Sequence, residues 1–482
     1  MEKVVAGLDI GTSSIKLVLY GEGEVIYSER MSHSKQDSEG REIDPVILLK
    51  DVIYLLRKAI KTNKNVKICA IGLSSLFPSI MAVDEKGKPL TKIITWLDIR
   101  GNEIAKDYKK QHQAAILLQK KTGCVIHGSH SIWKILWLKK NKKNLFKRVK
   151  KYLSLSDYLV YKLTGKYLVS YAIASTTGLF NISSLKWDKE ILKMIGISER
   201  QLPECRSIYH SEKFLKEMKL RIGCDAETLL VLGAGDGQLS NVGSGCLDIK
   251  TMCSTVGTSS ALRIIGDYQN LNNSIWKCYL CDKMYVYGIA INAGLRTLAW
   301  FHKNIFHRNL SSLSSDIDKI NLNRSTNLIF LPFIDGERGP HYRQEMTASL
   351  SGLSSTNTSN DVYKAIIEGV LFNLYQCYGV MVEHNNKPKE IIATGGYVYS
   401  RKILQMQSDI FNCKIKVPAF KENSAVGAAI VALAAIEEVS SLSNIKIKHE
   451  KVYIPNKKRH REHMRKYGQY NKKASLIEEQ TK

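Results

Sequence analysis

Two stretches of this chain could do the same piece of chemistry. Residues 9–16 read Asp-Ile-Gly-Thr-Ser-Ser-Ile-Lys, and residues 255–262 read Thr-Val-Gly-Thr-Ser-Ser-Ala-Leu. A Gly-Thr-Ser turn between two strands shows backbone N–H groups and hydroxyls on one side, which suits phosphate oxygens. One copy is a weak signal, because any Ser-rich hairpin produces it. Two copies at matching places in two halves of a chain are stronger. Facing one another across a cleft, Gly11, Thr12 and Ser13 on one side and Gly257, Thr258 and Ser259 on the other would hold a polyphosphate from both ends. Lys16 either brings a positive charge to those phosphates or lies on the exposed face of its strand. The two copies differ at one telling position, where Asp9 is matched by Thr255. A cleft for ATP needs a carboxylate for Mg2+ on one side only. A buried carboxylate is costly unless paired, so a cation makes Asp9 tolerable while neutral Thr255 suffices opposite.

The elements that must position these turns follow from hydrophobic patterning. "KVVAGLDIG" and "SIKLVLYG" read as a hairpin, "EGEVIYSERMS" adds a third strand, "DPVILLKDVIYLLRKAIK" is apolar at helical spacing, and "VKICAIGLSS" is a strand with a Gly-Ser exit. "TLLVLGAGDGQLSNVGSG" is a buried strand, a tight turn and a helix of small residues. The pattern then restarts. "TMCSTVGTSSALRIIG" is again strand, turn, strand, and "PKEIIATGGYVYSRKILQMQSDIFNCKIKVP" is strand, Gly-Gly turn, helix, strand. The repeat is therefore at domain scale, not at solenoid period, with a break near residue 245. "SAVGAAIVALAAIEE" is too short and too rich in small residues to span a membrane, and reads as a buried, closely packed helix.

Bulk composition agrees with an α/β enzyme. A chain of 482 residues with 44% hydrophobic and 24% charged residues suggests two sizeable soluble domains. Seventy-one Lys and Arg against 45 Asp and Glu give +26, which raises nucleic acid or an anionic surface as a partner. The Lys enrichment runs along the whole chain, however, so a solvated basic surface is the expected reading. Ten scattered Cys, including Cys278 and Cys281 in an unrepeated C-x-x-C, read as reduced, mostly buried thiols of a cytoplasmic protein. The N-terminus enters a strand pattern directly, without a signal-peptide pattern. Beyond residue 440 the chain is basic and nearly devoid of core-type residues, which reads as a helical appendage or frayed end.

Taken in order, the motifs resemble the FGGY family of carbohydrate kinases over residues 1–440. They are "GLDIGTSSIK" at 7–16, "WLDIR" at 96–100, "GAGDG" at 233–237, "STVGTSS" at 254–260, "LPFIDGERGPHYR" at 331–343, "ATGGYVYSRKILQMQSDIF" at 393–411 and "SAVGAAIVA" at 424–432. The resemblance implies two actin-like (ribonuclease H-like) α/β domains with an interdomain cleft for ATP and sugar. A sugar-binding domain would span 1–245, a nucleotide-binding domain 246–440 and a basic tail 441–482. It implies Asp236 as general base, a role the chemistry of phosphoryl transfer supports. Asp9 resembles the magnesium-associated Asp, with Asp236 beside the metal. Gly294, Gly396 and Ser400 resemble nucleotide-lining residues, joining Lys16 and the two phosphate turns. In "WLDIR", Trp96 would wall the sugar, Asp98 would accept from its hydroxyls, and Arg100 supplies a fork of donors that also suits a carboxylate.

Substrate signals point in two directions. "DGQLSNVGSG" and "STVGTSSALR" look like gluconate kinases, so D-gluconate is the preferred sugar, and D-xylulose or another polyol or ketose is the alternative. Glycerol is disfavoured, since "LSSLFPSIMAVD" lacks the Arg-Glu pair of glycerol kinases. Phe77 and Pro78 stand where Met-His is usual, and "GERGPHYR" has a xylulokinase look. His127 and His130 could offer a substitute imidazole, but read better as structural loop residues. The expected partners are ATP, Mg2+ and a small sugar or sugar acid, with no membrane and no nucleic acid; a homodimer is an open alternative. An actin-like ATPase would share the turns without needing "WLDIR", so Asp98→Ala would leave it active. A nucleic-acid binder would lose function with its tail and weaken steeply with salt. A dead sensor is hard to reconcile with Asp9 and Asp236 both present.

Overall fold

In the computed structural model, which describes residues 2–34, 40–266, 272–383, 387–436, 442 and 446–481, both Gly-Thr-Ser-Ser turns join antiparallel strands. The strands that frame the site are β1 (Glu2–Ile10), β2 (Ser14–Gly21), β3 (Glu24–Ser32), β4 (Val66–Ser75), β5 (Ser211–Lys213) and β6 (Leu229–Gly235) in the first half. The second half has β7 (Thr251–Val256), β8 (Ser260–Gly266), β9 (Trp276–Cys281), β10 (Met284–Ile291), β11 (Glu390–Thr394), β12 (Lys414–Pro418) and β13 (His449–Tyr453). The helices needed are α1 (Pro45–Thr62), α2 (Ser131–Asn141), α3 (Asp236–Gly243), α4 (Leu295–Asn304), α5 (Ser359–Val382), α6 (Arg401–Phe411), α7 (Asn423–Ala435) and α8 (Lys457–Thr481).

One sheet has the order β5-β6-β4-β1-β2-β3 and the other β9-β10-β8-β7-β11-β12-β13. In the first, β1 and β6 run parallel to β4, β2 is antiparallel to β1 and β3 to β2, and β5 closes the far edge antiparallel to β6. In the second, β7 and β12 run parallel to β11, β8 is antiparallel to β7, and β13 closes the edge antiparallel. The repeat read from two turns is thus a repeat of whole sheets. The central strands are buried on both faces, which is why β1 and β4 are nearly continuous apolar runs. On α1, Leu48, Val52, Leu55, Leu56 and Ala59 form the buried stripe, and the Asp44 carboxylate caps the helix through Val46 N and Ile47 N.

The chain divides into two units with a break at Gly245, where the sequence pattern restarts, and two later segments return to the first unit. One unit comprises Met1–Gly245, Trp276–Val286 and Glu422–Lys446, and the other Cys246–Ile275, Tyr287–Lys421 and Ile447–Lys482. Within the first unit, α7 lies on β1 and β4 at backbone distance. A Cβ on Gly7 would fall 1.8 Å from Ala425 O, and one on Gly72 would fall 2.1 Å from Ala428 O. The small residues of "SAVGAAIVA" make that approach possible, so the sequence reading of a closely packed helix holds, but its partner is the first sheet.

The expectation of a core-free tail is corrected. β13 pairs with β12, and α8 buries Tyr470, Ala474 and His463. Its basic side chains meet buried carboxylates: Arg459 Nε lies 2.5 Å from Asp409 Oδ2, and Lys466 pairs with Glu368 on α5. Among the described residues, α5 is the one helix long and apolar enough to cross a membrane, and 72% of its apolar window is buried. It carries buried Lys364, Glu368 and Asn373, as a core helix does. All ten cysteines are free thiols, as expected. Cys278 Sγ accepts from Gln238 and Cys281 Sγ from Tyr209, so the C-x-x-C pair is tied up in packing.

Candidate active site

The first phosphate turn is set by strand register. Ile10 stands opposite Ile15, and Gly11 N donates to Ser14 O at 3.0 Å to close the turn. The same register puts Asp9 opposite Lys16 on β2, and the parallel ladder puts Asp9 level with Ser74 on β4. Ser74 Oγ donates to Asp9 Oδ1 at 2.7 Å. Lys16 Nζ lies 3.9 Å from Asp9 Oδ2 and 2.7 Å from Glu422 Oε2, just before α7. Asp9 is only 3% exposed, and burial raises its pKa in spite of Lys16 and Ser74. Burial alone would lower the Lys16 pKa, but Asp9 and Glu422 together raise it. Lys16 is therefore neither a surface side chain nor free of neighbours. Thr12 Oγ1 accepts from Trp96 Nε1 at 3.2 Å, which joins the turn to "WLDIR".

Asp236 opens α3 directly after β6, and its Oδ1 accepts from Gly237 N at 2.7 Å. The register sets Ala234 level with Ser74 and Gly235 with Ser75. Asp9 and Asp236 thus emerge at the same end of the two strands that flank β4. Phe77 closes on this turn, since a Cβ on Gly235 would lie 2.2 Å from Phe77 Cδ1. Phe77 therefore packs on the glycine that immediately precedes Asp236.

The Arg100 guanidinium is spent on protein carboxylates. Its Nε donates to Asp98 Oδ1 at 2.9 Å, and its Nη2 donates to Asp98 Oδ2 and to Glu42 Oε1, both at 2.6 Å. The group also stacks 5.1 Å from the Trp137 ring centroid. Burial would raise the Asp98 pKa, but the hydrogen bonds from Arg100 more than offset it and hold it below the usual range. His127 Nδ1 meets Ser129 Oγ within its own loop, and His130 Nδ1 donates to Thr176 O, so both imidazoles have structural partners.

The second turn is tighter. Val256 stands opposite Ser260, and Gly257 N donates to Ser259 O at 2.9 Å. Thr255 is level with Thr394 on β11, as Asp9 is with Ser74, and the two hydroxyls meet at 2.6 Å. Arg263, buried on β8, donates to Thr255 Oγ1. Gly294 lies against this turn: Leu295 N donates to Gly257 O at 2.7 Å, and a Cβ on Gly294 would fall 2.5 Å from that oxygen. Gly396 begins a short helical turn after Gly395, which has φ +90°. Ser400 Oγ caps α6 by accepting from Ile403 N at 3.4 Å.

Sequence reasoning missed Ser74, Glu42, Glu422, Arg263 and Thr394. The Gly-Ser exit of β4 was a local signal for Ser74. Glu42 and Glu422 had none, because each finds its partner only through tertiary packing. Among the described residues, no group of three or more His, Cys, Asp or Glu could hold a metal ion. Mg2+ needs no such group, since it keeps water and phosphate oxygens and takes one or two carboxylates. Asp9, a buried carboxylate with one oxygen held by Ser74 and the other 3.9 Å from Lys16 Nζ, is of the type that requirement asks for.

Residues 4–243 match the N-terminal domain of the FGGY family of carbohydrate kinases, and residues 252–436 match its C-terminal domain. The chain belongs to the FGGY family. It is an ATP-dependent sugar kinase with the family's two-domain, actin-like α/β fold. This FGGY kinase is 32% identical to a gluconokinase of Bacillus subtilis, with 92% of this chain and 90% of the relative covered. It is 28% identical to a xylulose kinase of Staphylococcus xylosus, with 93% and 95% covered. Crystal structures of a ligand-bound xylulose kinase and of a gluconate kinase, both from Lactobacillus acidophilus, superpose with TM-score 0.91 at 29% identity. The first covers 98% of both chains, and the second covers 99% of this chain and 98% of its own.

Proposed function

We propose that this FGGY kinase transfers the γ-phosphoryl group of ATP to the primary hydroxyl of D-gluconate, giving 6-phospho-D-gluconate. The observation that carries the reading is the run Asp-Gly-Gln-Leu-Ser-Asn-Val-Gly that forms α3, opened by Asp236 at the strand end next to Asp9's. Gluconokinases at 32% and 31% identity support it. Asp236 Oδ accepts the proton of the attacking hydroxyl as the O–P bond forms and the ADP oxygen leaves. Trp96 and Asp98 hold the sugar, and Arg100 serves mainly to hold Asp98. Gly11, Thr12 and Ser13 of the first turn and Gly257, Thr258 and Ser259 of the second are the phosphate-binding residues of this reading. Gly294, Gly396 and Ser400 line the nucleotide. Asp9, with Asp236 nearby, would hold Mg2+, which neutralises charge on the phosphates when bound.

D-Xylulose is the second reading, favoured by "GERGPHYR" and by xylulose kinases at 28% identity and TM-score 0.91. ADP release from Mg·ATP with D-gluconate, D-xylulose, L-ribulose, glycerol or no sugar decides between them. The expected result is stimulation by gluconate, with Asp236→Ala lowering kcat by about 10²–10⁴-fold. Stimulation by xylulose alone would select the second reading. Equal release with and without every sugar would overturn both.

A further inference from the structure

Lys134, on α2, is 0% exposed, yet its side chain ends in an ammonium. Its Nζ donates to Thr95 O at 2.7 Å and to Ser129 O at 2.8 Å. Thr95 immediately precedes Trp96, and its carbonyl also accepts from Asp98 N at 3.1 Å. Ser129 lies in the loop that carries His127 and His130. One charged atom therefore ties the start of "WLDIR" to a loop more than thirty residues away. Carbonyl acceptors alone are a poor reason to bury a charge, since an apolar side chain of similar length would avoid the desolvation cost. The neighbouring charges supply a better reason. Asp98 is buried between the Arg100 guanidinium and the Lys134 ammonium, while Glu42 has Arg100 and Lys92, so the lysine is the second cation acting on Asp98 itself.

We propose that Lys134 is a positioning residue for the sugar: it locks the Thr95–Asp98 turn onto the His127–Ser129 loop and supplies the second cation of the cluster around Asp98. The inference rests on the reading above that Asp98 contacts the sugar. Burial raises the Asp98 pKa, and Lys134 is among the charges that bring it back down, after Arg100. The charged groups facing Asp98 are Arg100 and Lys134, with Glu42 beyond Arg100 and Lys92 at 3.6 Å from Glu42.

The test is steady-state kinetics across pH on the full-length Lys134→Met variant, using whichever sugar of the panel is turned over. The sugar KM is expected to rise about tenfold or more, the scale of losing hydrogen bonds from a charged donor. The ATP KM should stay within about twofold. The acid limb of kcat/KM for the sugar should move to higher pH, because Asp98 then protonates more readily. Should Lys134→Met fail to fold, Lys134→Gln keeps a donor without the charge and is expected to shift the acid limb in the same direction. Sugar and ATP KM rising together, or a lower kcat with unmoved sugar KM and acid limb, would overturn the proposal. Asp98→Ala separates the two levels. A raised sugar KM in Asp98→Ala with an unchanged one in Lys134→Met overturns the lysine's role alone. An unchanged sugar KM in Asp98→Ala overturns the Asp98 reading and the lysine's role with it.

Discussion

Asp9 and Thr255 occupy the same place in the two sheets, and their neighbours divide along the same line. Asp9 is held by Ser74 and faced by Lys16, while Thr255 is held by Thr394 and by a buried arginine. One copy presents a carboxylate beside a lysine, and the other a hydroxyl beside an arginine. Gly294 shows how little slack the second copy has. A methyl group there meets backbone oxygens of Gly257 and Thr258 at 2.5 and 2.7 Å, and neither can move without reshaping the turn. Gly294→Ala is expected to raise the ATP KM about tenfold or more with little change in the sugar KM, and to cost roughly 1–3 kcal/mol of stability. Kinetics with each substrate varied, beside thermal unfolding, check both parts. At Arg100 the fork matters more than the charge. Arg100→Lys cannot span both Asp98 oxygens and Glu42, so the sugar KM should rise about tenfold while the ATP KM holds, read from the same initial-rate assay.

At the scale of elements, two helices decide what the strands can do. α7 lies close enough on β1 and β4 to bring Glu422 to Lys16. α8 docks on α5 through Glu368, which is 2% exposed and faces Lys466 and His463, the latter at 3.3 Å. Burial pushes the Glu368 pKa up, but Lys466, His463 and Lys364 outweigh it and hold it at about 2. A carboxylate depressed in the folded state stabilises above its unfolded pKa of 4.5, and that contribution fades as pH falls from there toward about 2. Glu368→Gln should therefore cost on the order of 3 kcal/mol at pH 6. The gap between wild type and variant should narrow below pH 4.5, and denaturant unfolding at pH 6 and pH 3.5 measures it. A gap of constant size would show that the ion pair is not what holds α8.

The whole molecule carries +26, and the tail is one of its Lys- and Arg-rich segments. Its structure gives two of those charges buried carboxylate partners: Arg459 has Asp409, and Lys466 has Glu368. β13 also covers the edge of β12, and Tyr470 fills the core. Deleting residues 447–482 is expected to destabilise the second unit by several kcal/mol, through a bared strand edge and lost burial. The loss of activity should follow the loss of folded protein in circular dichroism and should not depend on salt. A folded, nucleic-acid-binding wild type whose truncated form stays folded but stops binding would reverse that assignment.

Local pattern was enough for much of this. Two Gly-Thr-Ser-Ser turns between apolar runs were legible as hairpins, because strand alternation and turn chemistry act over a few residues. The Asp-to-Thr difference, the strand-then-helix around Asp236 and the order of family motifs were legible for the same reason, and with them the α/β class and the kinase activity. What joins distant residues was not. That Lys16 is shared by Asp9 and Glu422, that Arg100 is occupied by Asp98 and Glu42, and that Lys134 ties two loops depend on which segments pack together. The tail misled because its core residues are few and widely spaced among lysines, so composition hid a docked helix. Register and burial bring such charges together, and neither is a property of a short stretch of sequence.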